Sequence, residues 1–550
     1  MDVKLTRLST KDEDEVEGEH VEFKVSNEVF TVEDAIEACG FGWFQIKLSV
    51  FAGLIWVVDA MEIMVLSILA VEARCEYGLE SWQESLITTV VFFGMFWGSW
   101  LWGKFMDKFG RWKGLLLVCV SVSVSSLVSA FAPNYVTLLL FRCVVGFGIS
   151  GSMQAATYYA EFLPAKRRAI CLVLMEIFWA VGTISEVLLA LFVLGHLKLD
   201  WHWLLGFTSV PVFIDLLAFM FVPESPFYYI SSGHPEKAHK VLEQVARDNG
   251  SKLPSGQLVS KREKQWIEFL KKDIEETQNQ VNGPLSNGYC SDSNVDLQSS
   301  DADTVQLIPM QLESSKGTRG RFYDLFSTTE RSHLTLLLWV IWLGAAFGYY
   351  GIVLLSTELL DVLKEQQERS NSSNNVLQCI GSAPVSSKGN CTHLETDDYM
   401  QLLWTTVAEI PGMLLTLLII ERIGRKKTMA VEFFLAVPFF LLMYICPVHK
   451  FALLAFIFGA RGVLTGAFQA VMVYTPEAYP TSIRGLGFGF CSSVARIGAM
   501  ITPFVAEVLL RKSVRGAEGL YAGVALVCGI CCLLLPYETK GKALQESLDM

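Results

Sequence analysis

Charged residues are scarce in this chain. Only 18% of its 550 residues are Asp, Glu, Lys or Arg, whereas 52% are hydrophobic, and the mean hydropathy is +0.39. A soluble protein of this length should divide into several domains that carry far more charge. The composition therefore argues against an ordinary soluble protein and predicts one embedded in a lipid bilayer.

Signals of catalysis and of nucleic-acid binding are also missing. Basic residues occur in short clusters between apolar runs and form no extended basic stretch. No nucleotide-binding P-loop, metal-ligand cluster or nucleophile elbow occurs in a polar context. We therefore expect neither an enzyme nor a nucleic-acid-binding protein, and neither a cofactor nor a metal.

A cleavable signal peptide is not evident either. Residues 1–43 are polar and acidic, with Asp12-Glu13-Asp14-Glu15 near the start, whereas a signal peptide has a basic start and a short apolar core. We therefore expect the first hydrophobic helix to act as its own insertion signal.

Twelve apolar runs are long enough to cross a bilayer. A helix that crosses about 30 Å of hydrocarbon needs about 20 apolar residues. The runs predict an all-α membrane protein with twelve transmembrane helices. They lie near 45–71, 85–105, 113–132, 135–159, 169–195, 201–222, 334–358, 399–420, 428–447, 450–475, 486–510 and 518–536.

Polar segments divide these runs into two groups of six. The segment 223–332 shows little hydrophobic periodicity after about residue 275, which predicts a partly disordered linker. The expected divisions are an N-terminal segment 1–43, a first bundle 44–222, the linker 223–332, a second bundle 333–536 and a tail 537–550.

Lysine and arginine in the short loops predict which side each loop faces. Three clusters lie between even and odd helices, and one dissenting cluster lies between helices eleven and twelve. We therefore expect the even-to-odd loops, the linker and both termini to be cytoplasmic. The three clusters lie at 104–113, 166–168 and 422–427, and the dissenting one at 511–515.

The polar segment 360–398 falls on the opposite side. It contains two glycosylation sequons, at Asn371 and Asn390, which a lumenal or extracellular loop would allow to be used. Cys379 and Cys391 lie in the same segment and could form a disulfide in that oxidising space. The other eleven cysteines lie mostly in apolar runs or cytoplasmic segments, and we expect them to be free.

A charged, glycine-containing hinge occurs twice. The stretch 103–113 contains Gly103, Asp107, Gly110 and Arg111, and a weaker copy at 421–427 contains Glu421, Gly424 and Arg425. Asp107 and Glu421 are 314 positions apart (421 − 107), and so are Gly110 and Gly424. The repeat predicts a duplicated helical bundle, and such bundles usually move a solute by rocking one half against the other.

Two further motif pairs support the duplication. Glu161, Pro164 and Arg168 recur as Glu477, Pro480 and Arg484, each 316 positions later (477 − 161). The ends of helices six and twelve, Pro223-Glu224-Ser225-Pro226 and Pro536-Tyr-Glu538-Thr539-Lys540-Gly541, form the other pair. With these motifs the chain resembles transporters of the major facilitator superfamily from about residue 45 to 541.

Within that superfamily the chain resembles the organic ion transporter and sugar porter branch. The stretches 30–42, 59–62, 403–406 and 538–541 are similar to those of synaptic vesicle protein two-related proteins. The resemblance implies a multi-pass transporter of a vesicle or of the plasma membrane. The linker is longer than that pattern suggests, and Leu417 replaces the glycine of the first hinge at the second.

The hinge motifs suit a latch. We expect Gly103 to let helix two approach a neighbour closely, and Asp107 to pair with an arginine or a helix N-terminus across the cytoplasmic gap. Likewise, we expect Glu161 and Glu477 to pair with basic loop residues and hold the inward gate shut. The alternative is that the basic loop serves only to orient the helices.

Ionisable residues inside a membrane are costly, and they mark a water-filled path unless they are paired structurally. Asp59 and Glu62 lie roughly 22 Å along helix one, at 1.5 Å per residue, and on one face. In proton-coupled sugar porters a helix-one Asp faces a helix-four Arg and takes up the proton. Asp59 and Arg142 match those positions, which leaves proton coupling and a fixed structural ion pair both open.

Other ionisable residues lie within the later runs. The segment 492–498 resembles helix eleven of organic ion transporters, where the anion branch tends to carry Arg and the cation branch Asp. Arg496 therefore favours an anionic substrate, although the surplus of carboxylates favours a cation, and a neutral or zwitterionic substrate also stays open. The other candidates for the substrate or proton pathway are Glu176, Glu186, Glu409 and Arg461.

Aromatic residues in the apolar runs are candidate cavity walls. Tyr349 and Tyr350 in helix seven are favoured because the sugar-porter branch has aromatics there at the substrate. Trp404 in helix eight is a further candidate, although helix packing or anchoring at the interface would also explain each of these residues.

Taken together, the residues predict an alternating-access transporter, expected to be monomeric, for a small organic ion, with its site between the two halves. The alternative is a vesicle membrane receptor or scaffold that has kept a transporter fold without transporting. The sequons of the 360–398 loop and the long linker motivate that alternative. A screen of organic acids, amines, sugars and nucleotides that finds no ligand would favour it.

Overall fold

A computed structural model of the chain describes residues 6–8, 22–24, 28–261, 263–269, 271–272, 322–372, 394–443, 450–480 and 483–540. The chain divides into two units. The small unit comprises Met1–Phe44, Phe162–Ala165 and Glu224–Gly317, and the large unit comprises Gln45–Glu161, Lys166–Pro223 and Thr318–Met550.

The small unit has a compact apolar core. Phe30, Ile36, Leu242 and Leu258 are buried together in it. Two short ladders lie in this unit, an antiparallel one between Thr6–Leu8 and Glu22–Lys24 and a parallel one between Val29–Phe30 and Gln257–Leu258. Its helices are Val32–Cys39, Pro226–Ser231 and Pro235–Asn249.

Polar contacts fix the first helix of the small unit. The Thr31 hydroxyl accepts a hydrogen bond from the Asp34 backbone, and the Asp34 carboxylate accepts one from the Thr31 backbone at 2.9 Å. Lys264 Nζ lies 2.7 Å from the same carboxylate. The beginning of the predicted linker is therefore folded against the N-terminal segment. Residues 273–321, where disorder was predicted, lie outside the described ranges.

The first half of the large unit contains the first six long apolar helices. Four of the six form without interruption from the runs predicted in the sequence, while helices four and six are interrupted by turns. The bounds are Trp43–Tyr77, Ser81–Phe109, Arg111–Ser129, Tyr135–Ile149 with Gln154–Ala160, Ala165–Ala190 with Leu191–His196, and Trp201–Thr208 with Val210–Ala218 and Phe219–Phe221.

The second half contains helices seven to twelve. A short turn of helix, Phe322–Phe326, precedes it. The bounds are Thr329–Ser372, Thr396–Val407 with Glu409–Ile423, Arg425–Met443, Lys450–Ala478, Arg484–Pro503 with Phe504–Leu509 and Leu510–Lys512, and Val514–Leu534. Helix eleven changes to a wider π-helical turn directly after Pro503, since proline provides no backbone N–H for the regular ladder.

Within the described residues, eleven of these helices are long and apolar enough to span a membrane. The helix that falls short of this measure is helix nine, Arg425–Met443, which is 19 residues long and includes Lys426, Lys427 and Glu432. The architecture of a multi-pass helical membrane protein is therefore confirmed, and the count of twelve is approximately confirmed. Helix two packs on helix four in the first half, as helix eight packs on helix ten in the second.

Glycines set the close packing of helix two. A Cβ atom at Gly94 would overlap the Cys143 carbonyl of helix four, and one at Gly146 would overlap the Val91 carbonyl of helix two. These two positions therefore require glycine. The prediction that Gly103 serves this purpose is wrong, because the space beside its Cα is open.

The large unit has two ends, which we call the hinge end and the loop end. The hinge end contains Gly110 and Gly424, and the loop end contains Cys75 and Glu358. At the loop end the two halves touch through helices two and eleven. The Ser85 hydroxyl donates to a helix-eleven carbonyl at 3.3 Å, and Arg74 of helix one lies 3.4 Å from Glu358 of helix seven.

Candidate functional site

A cavity lies where the two halves of the large unit meet. Helices one, two, four and five line it from the first half, and helices seven, ten and eleven from the second. About 710 Å³ of atom-free space lies within its outline, and part of this space is open solvent. Of the predicted pathway residues, it brings together Asp59, Glu176, Tyr349, Tyr350 and Arg496.

Asp59 reaches the cavity from the middle of helix one. Its Oδ2 accepts a hydrogen bond of 2.7 Å from Ser152, a residue in the turn that interrupts helix four. Its Oδ1 is buried without a hydrogen-bond partner among the described residues. Asp59 is therefore a buried carboxyl group with one oxygen available to a proton, to water or to a ligand.

Arg142 contacts Glu62 instead of Asp59. Its Nη1 lies 2.9 Å from Glu62 Oε2, and both side chains are fully buried. Its Nη2 donates to the Ser129 hydroxyl at 3.0 Å, while Ser126 donates to the other Glu62 oxygen. The predicted pairing of Asp59 with Arg142 is therefore wrong in this structure. Glu62 lies one helical turn further along and is the carboxylate that pairs with Arg142.

The two helix-five carboxylates have different surroundings, as their spacing of ten residues suggests. Glu186 is buried and accepts a hydrogen bond of 2.9 Å from Thr208 of helix six, away from the cavity. Glu176 lines the cavity. Among the described residues it makes no hydrogen bond or ion pair. Of the two, only Glu176 is placed to meet a solute.

Glu409 and Arg461 form a second buried ion pair, at 2.8 Å. Glu409 also accepts hydrogen bonds from Tyr349 at 3.2 Å and from Thr183 of helix five at 3.0 Å. The pair lies behind the aromatic wall of the cavity and does not line it. Because Thr183 belongs to the first half, this cluster also joins the two halves near the cavity.

The cavity wall is largely aromatic. Trp56 and Trp179 meet edge to face with ring centroids 5.9 Å apart. The Trp179 indole N–H donates to the Tyr349 hydroxyl at 2.7 Å, and the Tyr349 and Tyr350 rings lie 5.3 Å apart. Aromatic rings from both halves thus form a continuous surface.

Arg496 supplies positive charge to the cavity. Its Nη1 donates to the Tyr350 hydroxyl at 3.1 Å, and the residue is 6% exposed. Its Nε is buried with no hydrogen-bond partner among the described residues. A guanidinium in this position keeps donors available for a planar acceptor such as a carboxylate.

Trp404 does not contribute to the cavity. Its side chain is 65% exposed and faces outward from the bundle. Five residues separate it from the buried Glu409, which at 3.6 residues per turn places the two roughly 140° apart around helix eight. The prediction that Trp404 of helix eight lines the site is therefore wrong.

Several lining residues were not predicted. Trp342, Thr465 and Gln469 line the cavity from helices seven and ten, and the Gln469 Nε2 is buried without a hydrogen-bond partner in the described part of the chain. Thr465 and Gln469 are polar residues at i,i+4 spacing in an apolar run, which places them on one face. That spacing is the feature of the sequence that could have identified Thr465 and Gln469 as lining residues.

The first hinge is built around a glycine in the left-handed region. Gly110, with a φ of 109°, ends helix two and begins helix three, a conformation that favours glycine. Arg111 follows, and it forms ion pairs with Asp107 at 2.8 Å and with Glu161 at 3.3 Å. The predicted pairing of Glu161 with a basic loop residue is present.

The second hinge repeats this arrangement. Gly424 has a φ of 94°, and Arg425 forms ion pairs with Glu421 at 3.0 Å and with Glu477 at 3.1 Å. Glu538 also accepts hydrogen bonds from this turn, the shorter being 2.7 Å from the Arg425 backbone. In each hinge the arginine joins elements of its own half. Asp107 was expected to pair across the gap, but the arginine it contacts here belongs to the following helix.

Arg168 and Arg484 complete the duplicated motif, and each lies in the first turn of the helix that follows the loop. Arg484 donates to the Tyr479 carbonyl at 3.3 Å, which steadies the start of helix eleven. Arg168 lies at intermediate burial in the first turn of helix five. The duplicated motif therefore places an arginine at corresponding points of the two halves.

The predictions for the 360–398 segment fall mostly outside the described ranges. Asn390, Cys379 and Cys391 lie there, whereas the backbone of Asn371 belongs to the end of helix seven, Thr329–Ser372. Cys75, at the end of helix one, is disulfide-bonded. The expectation that this cysteine is free is therefore wrong. Among the described residues, no three His, Cys, Asp or Glu side chains are grouped to hold a metal.

Comparison with known families agrees with this architecture. Residues 27–289 match the family described as sugar (and other) transporter, and residues 400–548 match the major facilitator superfamily. The chain is 42% identical to synaptic vesicle 2-related protein of Xenopus laevis, over 95% of this chain and 83% of that protein. It is 38% identical to organic cation/carnitine transporter 7 of Arabidopsis thaliana, over 95% and 97%.

Solved structures show the same fold. The xylose transporter XylE from E. coli, in a partially occluded inward open conformation, superposes with a TM-score of 0.61. The match covers 91% of this chain and all of that chain, at 14% sequence identity.

Proposed function

Since the chain belongs to the major facilitator superfamily and, within it, to the synaptic vesicle 2-related proteins, we propose that it carries a small organic ion across a membrane by alternating access. The observation that carries this proposal is the cavity between the two halves, because it is lined by ionisable side chains that a bilayer would otherwise exclude. The Arabidopsis relative's name, organic cation/carnitine transporter, supports the same class of solute.

Contacts between the halves close the cavity at the loop end. Arg74 lies 3.4 Å from Glu358, and the Thr89 hydroxyl donates to the Met500 carbonyl at 3.3 Å. For a solute to enter from that end, these contacts between helices one, two, seven and eleven must separate. The ion pairs of the two hinges stay within one half each and keep that half rigid while it moves.

Arg496 is the leading anchor for the substrate. Its guanidinium presents an unpartnered Nε in the cavity, and a fork of donors suits a carboxylate or a similar anion. We therefore favour a substrate with an anionic group. Tyr350, which accepts a hydrogen bond from Arg496, fixes the direction in which the guanidinium points.

Asp59 is the proposed proton acceptor. Its carboxyl group is buried but borders the cavity, so that it can exchange a proton when the cavity is open to water. Arg142 is not available to hold Asp59 ionised, because it is paired with Glu62. The expected mechanism is therefore symport, in which the protonation state of Asp59 changes with the direction in which the cavity opens.

We propose a vesicle or plasma membrane as the location, with the hinge end cytoplasmic. The names of the synaptic vesicle 2-related relatives support the vesicle. The basic hinge residues support a cytoplasmic hinge end. The disulfide at Cys75 supports the opposite side for the loop end, since disulfides persist in oxidising compartments. We further propose that the chain works as a monomer and that the sequons at Asn371 and Asn390 are used.

Uptake into proteoliposomes tests the coupling. Full-length protein is reconstituted, and uptake of radiolabelled butyrate and γ-aminobutyrate is measured with and without a pH gradient. We expect the gradient to stimulate uptake, and Asp59→Asn to remove the stimulation. Glu432→Gln is the matched control, because it neutralises a buried glutamate that contacts Thr416 and lies away from the cavity. Unchanged gradient-driven uptake by Asp59→Asn would show that Asp59 is not the coupling site.

A further inference from the structure

Charges of opposite sign line the cavity from opposite halves. Glu176 belongs to helix five of the first half, and Arg496 belongs to helix eleven of the second. We infer that the substrate is bipolar, with a cationic nitrogen that binds at Glu176 and a carboxylate that binds at Arg496. This inference rests on the proposed function and names the substrate class of the same site.

The two charged groups do not neutralise each other. Among the described residues Glu176 makes no hydrogen bond or ion pair, and the Arg496 guanidinium donates to Tyr350 but keeps a buried Nε without a partner. A charged group at membrane depth needs a partner or water. In an occluded state without water, the natural partners are the two ends of one solute.

A purely anionic solute would satisfy only half of this site. It would pair with Arg496 and leave the Glu176 carboxylate facing an additional negative charge in a site shielded from water. An unpaired buried charge is strongly destabilising, and juxtaposed like charges exclude the wrong partner. A purely cationic solute would pair with Glu176 and leave the Arg496 guanidinium facing an additional positive charge. The pairing of charges therefore favours a molecule that carries both.

The aromatic wall suits the cationic end. Trp56 and Trp179 line the cavity with Glu176, and their rings meet edge to face with centroids 5.9 Å apart. Faces of indole rings attract ammonium groups, and the attraction grows when water is removed. The first half thus offers the carboxyl groups of Asp59 and Glu176 and two indoles, whereas the second offers the guanidinium.

Because the two charged groups belong to different halves, the charge of the solute affects how strongly it closes the cavity. A bipolar solute contacts both halves at once, so it stabilises the state in which the halves have closed around it. A solute with one charge contacts one half and gains less from closure. A ligand shifts a conformational equilibrium only by its difference in affinity between the states. Bipolar solutes should therefore both bind more tightly and drive closure more strongly.

Ligand binding to the purified full-length protein tests the inference. The probes are β-alanine, γ-aminobutyrate and ε-aminocaproate, with butyrate and butylammonium as single-charge analogues. We expect at least one bipolar probe to bind at least about tenfold more tightly than both analogues. We expect Glu176→Gln to abolish that preference while butyrate still binds, and Arg496→Gln to weaken both. Glu432→Gln, which alters a buried glutamate outside the cavity, should retain the preference.

Two outcomes would overturn the inference. One is that butyrate or butylammonium binds as tightly as every bipolar probe, and the other is that no bipolar probe binds at all. Glu176→Gln protein that keeps the full preference would overturn the assignment of the cationic end.

Uptake measurements distinguish failure of this inference from failure of the proposed function. If butyrate is carried but bipolar probes are not, only the inference fails. If bipolar probes bind with the expected preference but no probe is carried, only the transport proposal fails.

Discussion

The buried pair of Glu62 and Arg142 makes a quantitative prediction about the first half. Both side chains are fully buried, and the two ions lie 2.9 Å apart. Replacing Arg142 with Gln leaves the Glu62 carboxylate in an apolar interior with only the Ser126 hydroxyl as a described partner. Breaking a buried ion pair by removing one partner costs about 3–5 kcal/mol. We therefore expect Arg142→Gln to lower the free energy of unfolding by about that amount.

Double-mutant cycles distinguish between Glu62 and Asp59 as the partner of Arg142. The Glu62→Gln and Arg142→Gln double variant removes both charges, so it should recover much of the loss. We expect a coupling free energy of about 2 kcal/mol or more between Glu62 and Arg142. The cycle with Asp59→Asn should give no more than about 0.5 kcal/mol, because Asp59 is hydrogen-bonded to Ser152 instead.

The assay is unfolding of the purified protein in mixed micelles, followed by tryptophan fluorescence. If Arg142→Gln cannot be purified, Glu62→Gln is compared with the double variant, and we expect the double variant to be the more stable of the two, because Glu62→Gln alone leaves a buried, unpaired arginine. A coupling to Asp59 as large as that to Glu62 would refute the assignment. So would single variants that unfold like the original protein.

Two further predictions concern packing and the loop end. Gly94→Leu should prevent folding, because the leucine side chain would displace the carbonyl of Cys143, whereas Gly103→Ala should be tolerated. The yield of monodisperse protein on size-exclusion chromatography distinguishes the two variants. Equal yields would contradict the packing of helix two on helix four. Cys75→Ser should abolish a change in gel mobility that the original protein shows on reduction. No such change in the original protein would contradict the disulfide.

Much of the fold follows from local features of the sequence. Apolar runs of about 20 residues can form all of their backbone hydrogen bonds in lipid only as helices. The number and approximate positions of the helices can therefore be predicted from the sequence. The duplicated hinges are legible too, because Gly110 and Gly424 supply backbone conformations that other residues rarely adopt. The charges of the duplicated motifs also predicted that Glu161 and Glu477 pair with basic loop residues, and the structure shows that these partners are Arg111 and Arg425.

The failures share a physical cause, which is the rotation of each helix about its axis. Asp59 and Glu62 are one turn apart, and the sequence does not say which of them faces Arg142. Trp404 looked like a cavity wall, but its side chain faces outward. Gly103 and Gly94 are both on helix two, yet only Gly94 lies where helix four crosses. These outcomes depend on contacts between distant parts of the chain.

Counterflow measures the central claim most directly. Proteoliposomes that contain the full-length protein are loaded with unlabelled γ-aminobutyrate or butyrate and diluted into a trace of the same labelled compound. If the cavity opens alternately to either side, labelled solute should accumulate transiently above its equilibrium level, and excess unlabelled solute outside should abolish the accumulation. Accumulation no greater than in protein-free liposomes, by protein that demonstrably binds the same compound, would contradict alternating access.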